Sequence, residues 1–178
     1  MQLLNEPNQA ITKNLFLSSL KEHKEPIKIK IVNVGSIFKS KMSNKPNLFI
    51  DILILNHFNC SMLKLDANNE PETKENNEPV IINENILNEI VSIPYNLTEN
   101  KNNPNNYIVS NRSNLFNILN YCLQEKNLIN ANNNKGFNIS EKEIKEALID
   151  MVLYVKCELI TNTNYKPYLK LIPAIKGV

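Results

Sequence analysis

The chain has 178 residues, 42% of them hydrophobic, with a mean hydropathy of −0.31 and a formal net charge of +2. That size supports one well-buried core, or one domain with an added arm, and no apolar run approaches the roughly 20 residues of a membrane span. The opening MQLLNEPNQA lacks the basic and apolar regions of a signal peptide, so a cytoplasmic location is expected.

In chain order, residues 8–22 (NQAITKNLFLSSLKE) read as a short amphipathic helix with Ile11, Leu15 and Leu20 as its apolar positions, ended by Pro26. The run IKIKIVNVGSIFKSK begins with strict alternation, Ile27, Ile29 and Ile31 to one side and Lys28 and Lys30 to the other, and Gly35 marks a bulge or bend. SKMSNKPN is a turn, and LFIDILILN is a second strand apolar enough to be buried on both faces, so Asp51 must find a partner. HFNCSMLKLD is read as a third strand.

From Ala67 to Pro79 the chain is polar and aperiodic and is read as a flexible loop. VIINENILNEIVSIP fits either a strand followed by a short helix or one helix, and TENKNNPNN is a loop. Helix follows over SNRSNLFNILNYCLQEKN, with Leu115, Ile118, Leu119 and Cys122 on one face and Asn111 or Ser113 as cap. After a turn at ANNNKG, Ser140 and Glu143 form a capping box for a helix carrying Ile144, Ala147, Leu148 and Met151. A final hairpin is formed by MVLYVKCELI and KPYLKLIP.

Usage is skewed: 33 Asn, 22 Ile and 19 Lys stand against one Arg and no Trp. All three enriched residues have AT-rich codons, and Asn tolerates left-handed backbone, so it is expected at turns where Gly is scarce. Matches to Asn-x-Ser/Thr at Asn59, Asn96, Asn111 and Asn138 are about as many as 33 Asn give by chance, so they do not argue for glycosylation. The charge is uneven. Residues 24–45 hold six Lys against Glu25, and 151–178 hold four Lys against Glu158, which would give one positive face if these strands adjoin.

Chemistry-bearing constellations are few. Three Gly, at 35, 136 and 177, cannot make a Gly-rich phosphate loop. His57 and Cys60 offer two metal ligands with no third or fourth nearby. Neither His23 nor His57 has an orienting acid that would pair it with a nucleophilic Cys, and Cys60, Cys122 and Cys157 read as reduced thiols. No enzyme activity, metal or cofactor is expected.

Two Tyr-x-Lys copies, Tyr154-Val155-Lys156 and Tyr168-Leu169-Lys170, lie in the last two strands. Their parity puts Leu153, Val155, Cys157, Leu159, Leu169 and Leu171 on one face and both Tyr and both Lys on the other. Exposed aromatics beside ammonium groups suit a stacked, negatively charged polymer. Amphipathic strands also turn Tyr and Lys outward for reasons of β-propensity and edge protection. Lys156 facing Lys170 would repel it unless an anion lay over the pair, whereas Lys156 facing Tyr168 would make a cation–π contact.

The order IKIKIVNVGSIFKSK…NLFIDILIL, a helical middle, then VLYVKCELI…YKPYLKLIP resembles the phage and archaeal OB-fold-type single-stranded DNA-binding proteins. The resemblance is one of arrangement over most of residues 27–175. It departs from that family in its single Arg, its lack of Trp and its long helical middle. It implies an α+β fold, an antiparallel OB-like small β-barrel or curved sheet with two or three helices inserted between strand pairs. Residues 27–178 would be one domain, and the short helix set off by Pro26 makes 1–26 a helical arm that packs weakly on it or serves oligomerisation. It also implies that Lys28, Lys30, Lys39, Lys41, Tyr154, Lys156, Tyr168 and Lys170 line a groove for single-stranded nucleic acid, DNA rather than RNA, in a replication setting. Self-association is expected as an option and membrane contact is not. The alternative reading is a structural or adaptor protein, viral in one version, that binds a protein partner.

Overall fold

Strict alternation in β1 (Ile27–Val34) sets the architecture: Ile27, Ile29 and Ile31 are buried while Lys28 and Lys30 stay half-exposed. The computed structural model describes residues 10–41, 44–128, 135–162 and 164–174. β1 lies between two antiparallel neighbours, β3 (Pro46–Ile54) and β10 (Val152–Asn162). β10 pairs in turn with β11 (Tyr165–Ala174), and β3 also carries β2 (Phe38–Lys39) and β6 (Ile90–Asn96). The strands expected from 27–55 and 152–173 therefore share one six-stranded antiparallel sheet. The fold is α+β, and the sheet is open: among the described residues β11 pairs only with β10, so no barrel closes.

β3 is apolar on both faces because it is paired on both edges and covered on one side, where Leu48, Ile50, Ile52 and Ile54 enter the core. Asp51 faces the other way; its carboxylate accepts from the Ser92 hydroxyl and from Asn33 Nδ2 at 3.0 Å. The register against β3 shifts between Ile31 and Asn33 and again between Val34 and Phe38, across the expected bend at Gly35, which donates its N–H to the Phe49 carbonyl at 2.8 Å.

Two smaller sheets complete the strands. β4 (Asn59–Leu63) pairs with β5 (Ile81–Asn85), and β7 (Thr98–Glu99), β8 (Asn106–Val109) and β9 (Phe137–Ser140) form a third sheet. VIINENILNEIVSIP is thus two strands, β5 and β6, rather than any helix; the turn between them uses Asn88 at φ 68°. In β6, Val91, Ile93 and Tyr95 bury at period two, a signal masked in the sequence by Asn and Glu at the turn. Residues 67–79 are a succession of hydrogen-bonded turns bridged at Leu65–Pro71 and Thr73–Pro79, with the Asp66 carboxylate accepting from the N–H groups of Asn68 and Glu70. TENKNNPNN contributes β7 and the start of β8.

Among the described residues, Asn44, Asn69, Asn77, Asn88, Asn127 and Asp150 take left-handed backbone. Asn fills the turns that Gly fills elsewhere, as its enrichment suggests. Gly136 is a different case. Its φ is +103°, and a Cβ there would stand 2.6 Å from the Val109 carbonyl oxygen. Gly136→Ala is expected to cost about 1–3 kcal/mol, read as a lowered midpoint in thermal or urea unfolding. Residues 131–134 of the expected ANNNKG turn lie outside the described residues.

α2 (Phe116–Glu125) and α3 (Glu141–Leu148) occupy the segments expected to be helical. The Ser140/Glu143 capping box opens α3. α2 has Leu115 at its cap position, and no side chain caps it. Lys126 Nζ donates to the carbonyls of Glu146 and Ile149 at 2.6 and 2.8 Å, which ties the end of α2 to the end of α3. α2 packs on α3 and β11, and α3 on β1. Among the described residues no helix is long and apolar enough to cross a membrane.

α1 (Lys13–Glu22), capped by Thr12, corrects the expectation of a weakly packed arm. Phe16, Leu17 and Leu20 are buried in the common core, and the helix packs on β4, β10 and β11. Leu15, assigned to the apolar face from the sequence, is only half-buried; the face is carried by Phe16 and Leu17. Residues 1–9 of that segment lie outside the described residues.

Candidate nucleic-acid interface

Directly opposed residues of antiparallel strands share a face. The register sets Glu158 opposite Lys170, Ile160 opposite Tyr168 and Lys156 opposite Ile172, so neither pairing considered for Lys156 occurs. The two Tyr-x-Lys copies do fall on one face, and Lys28 stands directly across from Tyr154. Lys30 lies between Leu53 and Val152, and Leu53 between Lys30 and Ile90. The outer face of the sheet thus carries a lateral row, Ile90–Leu53–Lys30–Val152, in which Ile90 and Val152 are 55% and 45% exposed.

The eight residues expected to bind together do not converge. Lys28, Lys30, Tyr154 and Lys156 share the outer sheet face, with Lys156 held 3.6 Å from Glu158. Lys39 and Lys41 are exposed at the far end of the sheet, where Lys39 pairs with Glu99 at 3.0 Å. Lys170 was expected to face water and is instead 6% exposed. Burial pushes its ammonium pKa down, and among the described residues no carboxylate lies within ion-pair reach of it, Glu158 across the ladder being engaged by Lys156. A buried cation with no ion pair costs stability. Lys170→Met is therefore expected to raise stability only slightly, by less than about 1 kcal/mol, in chemical denaturation.

Tyr168 lies elsewhere, in a basic groove that the sequence did not disclose. Three clefts of about 320, 470 and 370 Å³ adjoin through shared lining residues, the first and third meeting at Lys13 at the start of α1. The first is lined by the ring pair Phe38–Phe49, together with Lys13, Asn47 and Asn96. Those two rings are stacked at 5.7 Å with planes 8° apart. The largest cleft continues from Asn96 to Lys45, Arg112, Ser113 and Tyr168. The third runs from Tyr168 and Asn114 past Pro167 and Leu159 back to Lys13.

Among the described residues, no carboxylate lines any of the three clefts. Lys13 donates to the Pro94 carbonyl at 3.4 Å and stands 5.1 Å over the Tyr95 ring; burial lowers its pKa. Lys45 and Arg112 belong to no ion pair among the described residues. The hairpin opens onto this region: Leu153, Val155 and Leu171 are buried, whereas Leu159, on the same face near the hairpin tip, is exposed. Cations, flat rings and amide donors without a competing acid are the chemistry of a polyanion site with room for stacking.

His57 and Cys60 do not form a pair. His57 is exposed, its Nδ1 2.8 Å from Asn85 Nδ2, while Cys60 is fully buried and donates to the Ser61 carbonyl. Cys60, Cys122 and Cys157 are free thiols, and burial pushes Cys122 up to about 12. Sequence reasoning missed Lys13, Lys45, Arg112, Phe38 and Phe49 because they come from four separate segments. The usable signal was the lone Arg112, placed just ahead of a helix whose first turn carries no acid. The chain matches no known protein family, no characterised protein and no solved structure.

Proposed function

We infer that the protein is a non-enzymatic, sequence-tolerant binder of single-stranded nucleic acid, DNA in the first instance, and that the groove around α1 is where the strand lies. The observation that carries this reading is the lining of Lys13, Lys45 and Arg112 interleaved with Phe38, Phe49 and Tyr168, without a carboxylate among the described residues. Lysine and arginine would neutralise phosphates while the rings stack bases, each stacked base being worth roughly 1–3 kcal/mol by substitution. The same reading relates the sheet to an OB-like arrangement left open, on the strength of its antiparallel order β11-β10-β1-β3-β6.

The test is a fluorescence-anisotropy titration of oligothymidylate and a duplex of equal length against the protein and its Phe38→Ala, Phe49→Ala and Tyr168→Ala variants. The single strand should bind more tightly than the duplex. Each variant should lose roughly tenfold or more in affinity with little change in salt dependence, since stacking releases no counterions. Equal, salt-insensitive retention of both nucleic acids, unaltered in the variants, would contradict the reading.

One observation favours a second reading, an adaptor that binds a protein partner. Ile90 and Val152 stand exposed at the two ends of a lateral row across four strands, with Leu53 and Lys30 between them. Indifference to every nucleic acid, with loss of partner binding in Ile90→Ser, is the outcome that reading requires.

A further inference from the structure

The largest of the three clefts carries a charge balance that an internal stretch of nucleic acid does not need. Lys45 and Arg112 both line it, and among the described residues no carboxylate or imidazole does. An internal phosphodiester bears a single negative charge, so one cation per phosphate suffices. A phosphomonoester bears about −1.5 to −2 near neutral pH and offers three strong acceptor oxygens. Two cations lining one cleft, together with Thr98, Ser110 and Ser113, match the second kind of group. The guanidinium fork suits bidentate contact with phosphate, and Lys adds a point charge. The volume of about 470 Å³ lies within the range of small-ligand sites and leaves space for a base against Tyr168.

We propose that this cleft binds a phosphomonoester attached to a nucleoside, with the phosphate between Lys45 and Arg112 and the base on the Tyr168 ring. The group has two sources, the phosphorylated end of a strand and a free mononucleotide. In its strand-end form the proposal rests on the single-strand reading above; in its free-nucleotide form it does not.

The experiment compares oligothymidylates of one length, end-phosphorylated or ending in hydroxyls, by anisotropy against the protein, Arg112→Gln and Lys45→Gln. In parallel, thymidine monophosphate and thymidine are titrated while amide NMR shifts are followed. A strand-end site predicts about tenfold tighter binding of the phosphorylated oligonucleotide, with the preference lost in both variants while their melting temperatures hold. The preference should also fade from pH 7 to pH 5, because the monoester dianion is protonated to the monoanion near pH 6, whereas a site for internal diesters shows no such loss. A free-nucleotide site predicts shifts around Arg112 and Tyr168 with thymidine monophosphate and none with thymidine, whether or not any oligonucleotide binds. Equal affinity for both oligonucleotides together with no shift from the monophosphate overturns the proposal while leaving strand binding intact. A phosphate preference that survives in both variants overturns it as well, since the site would then lie elsewhere.

Discussion

Deletion of residues 1–22 is expected to abolish cooperative thermal unfolding, and Phe16→Ala alone to cost about 3–5 kcal/mol. Phe16 is completely buried and meets the Phe58 ring edge-on at 5.8 Å. Leu17 and Leu20 continue the same face, the Ser19 hydroxyl accepts from the Ser61 N–H at 2.9 Å, and the Ala10 carbonyl accepts from Leu63. Removing the helix would uncover the apolar side of β10 and β11 and leave the Ser61 and Leu63 donors without these partners. Total stabilities of about 5–15 kcal/mol leave little margin for such a loss. Circular dichroism melts of the truncation and of Phe16→Ala decide the matter. A truncated chain that melts cooperatively near the parent temperature would show that α1 is an appendage after all.

The second large effect concerns charge. Lys45→Gln combined with Arg112→Gln should weaken binding of single-stranded DNA by about tenfold to a hundredfold. The same pair should lower the salt slope by about 0.7 if both cations hold one phosphate and about 1.4 if they hold two, at about 0.7 for each phosphate no longer neutralised. Both side chains stand outside any ion pair among the described residues, so their removal leaves no charge stranded and the fold should be unchanged. Lys156→Ala with Lys170→Ala, the pair the sequence singles out, should change the slope far less. Lys156 is shared with Glu158, and Lys170 is buried. Titrations over a range of salt concentrations measure both pairs. A larger slope change from Lys156 and Lys170 would return the binding face to the terminal hairpin.

Local patterning made much of the fold legible. Strict alternation at Ile27, Ile29 and Ile31 located β1, the double-sided apolarity of LFIDILILN located the central strand, and Ser140 with Glu143 located the start of α3. The site was less legible because it is assembled by tertiary structure. Parity placed Tyr154, Lys156, Tyr168 and Lys170 on one side of the hairpin, which the register bears out, but parity carries no information about what packs beside a strand. Lys170 is buried and Tyr168 belongs to a groove whose cations come from α1, the turn before β3 and the approach to α2. VIINENILNEIVSIP was misread because only β6 alternates in burial; β5 is almost wholly exposed and carries no such pattern, and Asn and Glu crowd the turn between them.

The most direct measurement is an amide NMR titration of the intact protein with a short oligothymidylate. If the groove holds the strand, the largest shifts should fall on Lys13, Lys45, Asn96, Arg112, Ser113 and Tyr168, with β5 and the outer row at Ile90 and Val152 unmoved. Shifts confined to Lys28, Lys30, Tyr154 and Lys156, or no shifts at saturating oligonucleotide, would contradict the groove as the seat of binding.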